Sequence, residues 1–456
     1  MNRLTLLIAA LIASVWMQPV LAQTLALAQT LAPDQTLALA QTPAPTQNST
    51  LTDSGSSKSA YTVIANPGEN AATEIRLNWH TDLGSGDQFI TFTKKSDRSW
   101  KNASTARADQ ELCTVFDSIY SKKPNGEDFY ENARFTRNTI ALQGLQAGTE
   151  YMYRLSADGD GEIRYFKTAP GSGKWDMGII SDIHVYAPLP RRQQAAMEMI
   201  GQLEKSNKKD FDFMLHVGDL SAWGGSYSFW PVLYAEPSFG KYMWAGVNGN
   251  HDNMTREDAQ SNDFFRHVNN NPANGYAGEI GVVYHFTYDN ALFVMLNNEG
   301  MKSEEGFAQA QDWTREVIRN NPAKYIIVVS HYQWFMGDDG RSSQYDRWKE
   351  LFDECGVDLA ISGNNHIYVR TNALYADRET DGTKGTVYIQ TPSSDNARGR
   401  SIGELAHNQD LIRFRWTEGS NTVGAMIMKA SKKRLTLTLY DRHGTRIDQV
   451  SVKAKR

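Results

Sequence analysis

The chain contains few cysteines and no excess of basic residues, and these two shortages exclude several classes of protein. Only Cys113 and Cys355 occur among its 456 residues, too few for a disulfide scaffold or for a zinc site built from cysteines. Their spacing leaves open whether they pair. The 47 Lys and Arg residues are outnumbered by 52 Asp and Glu residues, so there is no signal for nucleic-acid binding. With 40% hydrophobic and 11% aromatic residues, the chain has enough apolar material for a sizeable core in two or three domains, which excludes disorder of the whole chain.

Residues 1–22 have the pattern of an export signal. Arg3 supplies an early positive charge, an apolar run extends from Leu4 to Trp16, and Val20-Leu21-Ala22 fits a small-residue cleavage site. The apolar run is shorter than the roughly 20 residues that a membrane span needs. We therefore expect a cleaved signal peptide, a secreted or periplasmic protein and no membrane span after cleavage. An N-terminal anchor that is never cleaved is the alternative.

Residues 23–57 have the composition of a flexible linker. The sequence Thr-Leu-Ala-Leu-Ala-Gln-Thr occurs at 24–30 and again at 36–42, and the residues that follow are rich in Pro, Ser and Thr with almost no charge. No aromatic residue is present to build a core around. Low complexity of this kind predicts a flexible tether, and a weak surface-adhering segment is the alternative.

Residues 58–170 contain short runs in which apolar and polar side chains alternate, as at 74–79 and 149–155, separated by Gly, Asn and Asp. This period of two predicts an antiparallel β-sandwich. The segment 142–151, which ends in Tyr151, resembles the tyrosine corner of fibronectin type III domains, and Trp79 is then a core residue. Because the sequence shows no ligand or catalytic cluster here, we expect a packing and positioning domain.

From residue 171 onward, apolar strands alternate with helices, which is typical of an α/β domain. Two amphipathic helices are predicted at 191–206 and 344–355, where apolar side chains share one face. The predicted strands are 175–181, 211–217, 243–248, 325–330, 357–362 and 387–390.

Polar side chains follow five of these strands at their carboxyl ends. They are Asp182-Ile183-His184, Gly218-Asp219, Gly249-Asn250-His251-Asp252, His331 and Gly363-Asn364-Asn365-His366. Ligands of α/β sheets bind in the crevice outside the carboxyl ends of the strands, so we expect these groups to converge on one site. A single histidine after a strand is usually a structural residue, but five such motifs in order favour a metal site.

These ordered motifs resemble those of the calcineurin-like metallophosphoesterase superfamily, which are D-x-H, G-D, G-N-H-D/E, H and G-H-x-H. The resemblance covers 171–456. With the preceding sandwich, the chain is similar in domain order to the purple acid phosphatases, whose V-x-x-H motif matches 328–331. The implied fold is an all-β, fibronectin type III-like sandwich at 58–170, similar to the N-terminal domain of those enzymes, followed by an α/β metallophosphoesterase domain at 171–456 with α/β/β/α layers.

The resemblance also implies a binuclear metal centre that holds two divalent or trivalent ions of zinc, iron or manganese. Imidazole and carboxylate ligands suit these metals. Carried over motif by motif, the first metal is bound by Asp182, His184 and His366, both metals are bridged by Asp219, and the second is bound by Asn250 and His331. Two such ions supply a hydroxide nucleophile and bind the phosphoryl oxygens.

Two further residues have roles implied by the resemblance. His251 matches the histidine that faces the substrate, where it stabilises charge on the phosphoryl group or protonates the leaving oxygen. Asp252 is expected to orient His251 through a hydrogen bond.

The chain departs from the purple acid phosphatase pattern at three positions. Ala222 stands where those enzymes have the tyrosine ligand of iron, so no tyrosinate-to-iron colour is expected. His184 instead fits the D-x-H motif of the colourless branch, which gives the first metal a full ligand set. Asn364 stands where the family has a histidine ligand of the second metal. An amide oxygen is a harder and weaker ligand than imidazole, so we expect weaker binding of that metal.

Arg341 lies in a loop after His331, where the purple enzymes place substrate-facing residues. It is a candidate for phosphate contact, and a solvated loop arginine is the alternative.

The sequence therefore predicts an exported, metal-dependent phosphoesterase that hydrolyses a small phosphorylated substrate, namely a phosphomonoesterase of the acid phosphatase type. One alternative is a phosphodiesterase or nucleotide pyrophosphatase, because these reactions share the same motifs. Another is a weakly active, metal-binding surface protein, because Asn364 replaces a family ligand. The sequence does not specify the substrate, the native metals or the oligomeric state.

Overall fold

The structure, a computed structural model, describes residues 59–117, 131–159, 161–186, 191–253, 263–336, 341–395 and 411–456. The predicted signal peptide at 1–22 and the predicted linker at 23–57 lie outside these residues. The described residues belong to one compact unit, Ser56–Arg456.

The N-terminal part of this unit is an antiparallel β-sandwich, as predicted. Its strands are β1 (Tyr61–Pro67), β2 (Ile75–Thr81), β3 (Phe89–Lys94), β4 (Ser104–Arg107), β5 (Asp109–Asp117), β6 (Glu131–Leu142), β7 (Glu150–Leu155) and β8 (Arg164–Lys167). They form two sheets in the orders β1-β2-β6-β5 and β4-β3-β7-β8. Trp79 of one sheet and Ile90 of the other are fully buried in a shared core. The Tyr151 hydroxyl accepts a hydrogen bond from the Gln146 backbone N–H at 2.9 Å, which confirms the predicted tyrosine corner.

The other described residues form two large sheets with two outer layers of helices, and a separate two-stranded sheet. The strands of this part are β9 (Trp175–Ile180), β10 (Phe213–His216), β11 (Trp244–Gly246), β12 (Tyr284–Tyr288), β13 (Ala291–Met295), β14 (Tyr325–Val329), β15 (Leu359–Ser362), β16 (Tyr368–Thr371), β17 (Leu374–Tyr375), β18 (Arg378–Glu379), β19 (Val387–Gln390), β20 (Ile412–Trp416), β21 (Gly424–Ala430), β22 (Arg434–Asp441) and β23 (Arg446–Lys453). The separate sheet consists of β17 and β18. The helices are α1 (Arg191–Asn207), α2 (Phe229–Tyr234), α3 (Pro237–Lys241), α4 (Asp263–Val268), α5 (Glu304–Asn320) and α6 (Ser343–Cys355).

The two large sheets pack face to face and each carries helices on its outer face. One sheet has the order β11-β10-β9-β21-β22-β23 and the other has the order β12-β13-β14-β15-β19-β16-β20. Inward-facing side chains of both sheets, such as Met177 and Phe293, share one core. Met199 of α1 packs on the outer face of the first sheet, and Trp348 of α6 packs on the outer face of the second. This layering confirms the predicted α/β/β/α arrangement.

The parallel strands point their carboxyl ends toward the same edge of each sheet. In the first sheet, β10 is parallel to both β9 and β11. In the second, β13, β14, β15 and β19 are parallel neighbours. The loops after β9, β10, β11, β14 and β15 carry the predicted ligand motifs, so the topology places all five at one end of the sandwich.

Cys113 and Cys355 are both free thiols, which answers the question that their spacing left open. Among the described residues, no helix combines the length and the apolar character needed to cross a membrane.

Candidate metal centre

Many of the predicted ligands adopt a backbone conformation that residues other than glycine rarely use. Asp182, His184, Asp219, Asn364 and His366 have φ angles between 51° and 69°. Such left-handed residues are unfavourable for side chains with a Cβ atom, and they cluster at functional sites. The strained turns follow the strand ends directly, so the backbone turns the ligand side chains into the crevice instead of continuing the strand.

The glycines of two motifs are required because another part of the site occupies the space of a side chain. A Cβ atom on Gly218 would lie 2.4 Å from His331 Nδ1. One on Gly249 would lie 2.1 Å from Asp219 Oδ1. Both contacts are far shorter than van der Waals distance, so the G-D and G-N-H motifs need glycine in order to bring their loops together.

The structure brings five predicted ligands and His251 into overlapping groups. Within each group the potential ligand atoms lie within 4.8 Å of one another, and the groups are Asp182–His184–His366, His184–Asp219–His251 and Asp182–Asp219–His331. Asp219 Oδ2 lies 3.1 Å from His184 Nε2 and 3.2 Å from His331 Nε2. His366 Nε2 lies 3.3 Å from Asp182 Oδ1. Asp219 thus lies between His184, a predicted ligand of the first metal, and His331, a predicted ligand of the second, as a bridging ligand would.

The donor atoms fit a metal centre. His331 Nδ1 lies 2.6 Å from the Val217 carbonyl oxygen, so Nδ1 donates to that oxygen and Nε2 is the ring nitrogen that faces Asp219. Within the part of the chain that the structure describes, His331 Nε2 and Asn250 Oδ1 are buried without a hydrogen-bond partner. Buried polar atoms without partners are unfavourable, and a bound cation satisfies both of them. The residues therefore fit a pair of transition-metal ions with nitrogen and oxygen ligands.

The pKa values of the cluster also indicate a site that favours bound positive charge. Burial disfavours a charged His331, but the carboxylates of Asp219 and Asp182 outweigh it and raise the pKa of this imidazole to about 10. Burial also disfavours the Asp219 carboxylate, yet the adjacent His331 and His251 hold its pKa well below the ordinary value. Burial and the charge of Asp219 raise the pKa of the Asp252 carboxyl to about 7. The ligand carboxylates thus remain anionic only beside cations.

The predicted partner of His251 is wrong. His251 Nδ1 lies 2.8 Å from the Ala222 carbonyl oxygen, which holds the ring in place of Asp252. The Asp252 carboxylate instead accepts backbone hydrogen bonds from Ser221 at 2.9 Å and from Gly249 at 3.0 Å. Asp252 therefore joins the loops after β10 and β11, and the sequence pattern alone does not distinguish this bond from one to the neighbouring imidazole.

Asn364 lies at the centre but its amide nitrogen is engaged elsewhere. The side-chain Nδ2 donates to Gln333 Oε1 at 2.6 Å, and the backbone N–H lies 3.2 Å from both carboxylate oxygens of Asp182. The amide oxygen is therefore the atom of Asn364 that remains available to a metal.

Arg341 is held in an ion-pair cluster. Its Nη1 lies 3.1 Å from Asp377 and 3.7 Å from Asp346, and its guanidinium lies over the ring of Tyr345. A contact between Arg341 and phosphate stays a prediction, and it would compete with these pairs.

Two residues that position the ligands were not predicted from the sequence. Asn298 Oδ1 accepts hydrogen bonds from the backbone N–H groups of His331 and Tyr332, each at 2.8 Å. Ser393 Oγ donates to the Asp182 carbonyl oxygen at 2.8 Å. Asn298 follows β13, a strand that the sequence analysis did not assign, and the same rule of polar residues after a strand would have identified it.

Family comparisons agree with the architecture. Residues 177–368 match the profile of the calcineurin-like phosphoesterases, and residues 60–168 match that of the purple acid phosphatase N-terminal domain. Two uncharacterized proteins from strains of Mycobacterium tuberculosis are each 22% identical to the chain over 373 residues. These matches cover 73% of this chain and 66% of the relatives' length.

Solved structures show the same fold. The chain is similar to purple acid phosphatase PPD1 from yellow lupin (Lupinus luteus) seeds, with a TM-score of 0.65 and 17% identity over 87% of this chain and 74% of that one. It is also similar to PhoD, with a TM-score of 0.54 and 12% identity over 86% of this chain and 93% of that one.

Proposed function

Since the chain carries a calcineurin-like phosphoesterase domain behind a purple acid phosphatase N-terminal domain, we propose that it is an exported phosphomonoesterase that releases inorganic phosphate from small phosphorylated substrates. Calcineurin-like phosphoesterases use a binuclear metal centre, and the groups around Asp182 and Asp219 match that requirement. When bound, two metal ions supply a nucleophile at neutral pH and neutralise charge on the phosphoryl group.

The observation that carries the proposal is the position of Asp219. Its side chain is buried, and its Oδ2 lies 3.1 Å from His184 Nε2 and 3.2 Å from His331 Nε2, two imidazoles that are predicted to bind different ions. A single carboxylate shared in this way would hold two ions, which would supply the charge that an in-line displacement at phosphorus needs.

His251 is the residue placed to act on the substrate. It shares a group with Asp219, and its ring lies at the partly exposed side of the centre, 6.3 Å from the Trp223 ring. Because Nδ1 donates to the Ala222 carbonyl oxygen, Nε2 is the ring atom free to meet a substrate oxygen. In the protonated ring, Nε2 carries a proton that it can share with a phosphoryl oxygen or transfer to the leaving oxygen.

The preference for monoesters over diesters rests on the likeness to a purple acid phosphatase, and the export rests on the pattern at 1–22. The native substrate is proposed to be a small phosphorylated molecule, since the chain's charge balance provides no basic surface for a polyanion.

Replacement of Asp219 by Asn tests the proposal. Asp219→Asn removes the anionic oxygen shared by both groups, so we expect hydrolysis of an aryl phosphate monoester to fall by more than about 100-fold and metal content to fall with it. Asp312→Asn is the matched control, because Asp312 lies on the exposed surface of α5 in a solvent-accessible pair with Arg315. Wild-type activity and full metal content in Asp219→Asn would refute the assignment of the centre.

Parallel assays of the corresponding aryl diester distinguish the alternatives. Faster hydrolysis of the diester would favour a phosphodiesterase. Tight metal binding with no hydrolysis of either ester would favour a metal-binding protein.

A further inference from the structure

A second group of metal-ligand side chains lies outside the phosphoesterase centre. Glu111 and Cys113 are two residues apart on β5, so both side chains lie on one face of this edge strand. His267 comes from α4, and the carboxylate oxygen, the thiol sulfur and the imidazole nitrogen all lie within 4.8 Å of one another. The group therefore contains side chains from both the N-terminal sandwich and the phosphoesterase domain.

We propose that Glu111, Cys113 and His267 bind a zinc ion that links the two domains. Thiolate, imidazole and carboxylate are the three protein ligands that zinc prefers, and water completes a tetrahedral site. Tetrahedral zinc places its ligand atoms roughly 3.5 Å apart, and the three atoms here lie within 4.8 Å of one another, so small side-chain adjustments bring them to this spacing. The chain has too few cysteines for a site built from cysteines alone, but a single thiolate is sufficient when the fold adds the other two ligands.

The surroundings of the group orient its ligands. Arg137 Nη1 lies 3.2 Å from Glu111 Oε2, which leaves the other carboxylate oxygen for a metal. Arg137 is itself fixed by bonds to Asn78 Oδ1 at 2.9 Å and to the Asn269 carbonyl oxygen at 2.7 Å. Hydrogen bonds of this kind to a ligating carboxylate are a regular feature of metal sites.

Zinc binding requires Cys113 to lose its proton. Burial and the charge of Glu111 raise the pKa of the thiol to about 11, so the metal-free site holds a neutral thiol at pH 7. Binding forms one zinc–sulfur bond, breaks the S–H bond and releases one proton to solvent. Glu111 is exposed, and this gives the ion a path from solvent to the buried sulfur.

The site lies beside a group of hydrogen bonds that connect the two domains. Directly after His267 and α4, Asn270 donates through Nδ2 to the Leu77 carbonyl oxygen at 3.0 Å and accepts at its backbone carbonyl oxygen from Arg76 Nε at 3.1 Å. Asn66 Oδ1 accepts from the Asn270 backbone N–H at 2.8 Å. A zinc ion bound by His267 would add metal coordination to these hydrogen bonds between the domains.

Cobalt substitution tests the proposal because only a cysteine thiolate gives a strong sulfur-to-cobalt charge-transfer band. The phosphoesterase centre has nitrogen and oxygen ligands, so its cobalt ions do not contribute to this band. We expect chelator-treated protein titrated with Co²⁺ to develop the near-ultraviolet band in the wild type and in Cys355→Ser, and to lack it in Cys113→Ser. Zinc-loaded Cys113→Ser should also hold one ion fewer per chain than zinc-loaded Cys355→Ser.

A second variant, at the exposed ligand Glu111, keeps the proposal testable if Cys113→Ser misfolds. Glu111→Gln should keep the fold and weaken the cobalt titration monitored at this band by more than about tenfold, a loss that even changes outside the ligand shell commonly produce. Absence of the band in cobalt-saturated wild type, its persistence in Cys113→Ser, or an unchanged affinity in Glu111→Gln would overturn the proposal. None of these outcomes depends on phosphatase activity, so the function proposed above stands or falls separately.

Discussion

Asp252 joins two of the loops that carry metal ligands, and replacing it with asparagine tests that role. Its carboxylate accepts the Ser221 N–H through Oδ1 at 2.9 Å and the Gly249 N–H through Oδ2 at 3.0 Å, and the side chain is fully buried. Asparagine has the same shape but only one acceptor oxygen. In Asp252→Asn, one of the two backbone N–H groups would therefore face an NH₂ donor.

The expected magnitude follows from these two bonds. A buried donor left without an acceptor costs about 1–3 kcal/mol, and the bond that survives weakens by about 1 kcal/mol because its acceptor loses its charge. Asp252→Asn should thus lower the free energy of unfolding by about 2–4 kcal/mol, a large part of the 5–15 kcal/mol that is typical of a folded protein.

Urea denaturation of chelator-treated protein above about pH 8, where the Asp252 carboxyl with its pKa of about 7 is ionised, measures this loss without a contribution from bound metal. Asp312→Asn serves as the control, since a change at an exposed position usually alters stability by no more than about 0.5 kcal/mol. If Asp252→Asn unfolds within about 0.5 kcal/mol of the wild type, the carboxylate does not hold the two loops and the reasoning fails.

Two further predictions concern the metals. Asn364→His should raise the affinity for the more weakly bound ion by about 10–100-fold, because imidazole replaces an amide whose nitrogen is hydrogen-bonded to Gln333. Metal titration of both proteins measures this change. Equally tight binding of two ions in the wild type and the variant would contradict it. The iron-loaded wild type should lack the strong visible absorption band of tyrosinate-bound ferric iron. Ala222 replaces the tyrosine ligand, and the hydroxyl of Tyr227 is hydrogen-bonded to His80. A purple protein with this band in its absorption spectrum would refute the prediction.

The sequence predicted the strands well where apolar runs end at a recognisable polar motif. The predicted strand at 357–362 contains β15, and the one at 325–330 exceeds β14 by a single residue. In contrast, β13 carries no family motif after it and was not assigned, so Asn298 was missed as a support of His331. Strand periodicity predicts which residues end a strand, but the identity of hydrogen-bond partners depends on loops from distant parts of the chain.

Contacts between domains were the least accessible to sequence reasoning. The region 58–170 shows no ligand cluster by itself, because His267 is separated from Cys113 by more than 150 residues along the chain. Likewise, the family resemblance implied that Asp252 binds its neighbour His251, whereas the fold pairs the carboxylate with the backbone N–H groups of Ser221 and Gly249. Proximity along the chain is a poor guide wherever two loops meet.

The left-handed ligand residues have a consequence for how the protein responds to selection. The cost relative to an ordinary backbone conformation is about 1–2 kcal/mol for a residue such as His184 and smaller for Asp and Asn, so the five together lower the stability of the chain. Glycine adopts the same conformation freely, and a change such as Asp182→Gly would recover part of that stability while deleting a ligand. A screen that rewards resistance to heat alone is therefore expected to enrich proteins that have lost their metal centre, and thermostable variants that still work should be sought by selecting for phosphate release at high temperature.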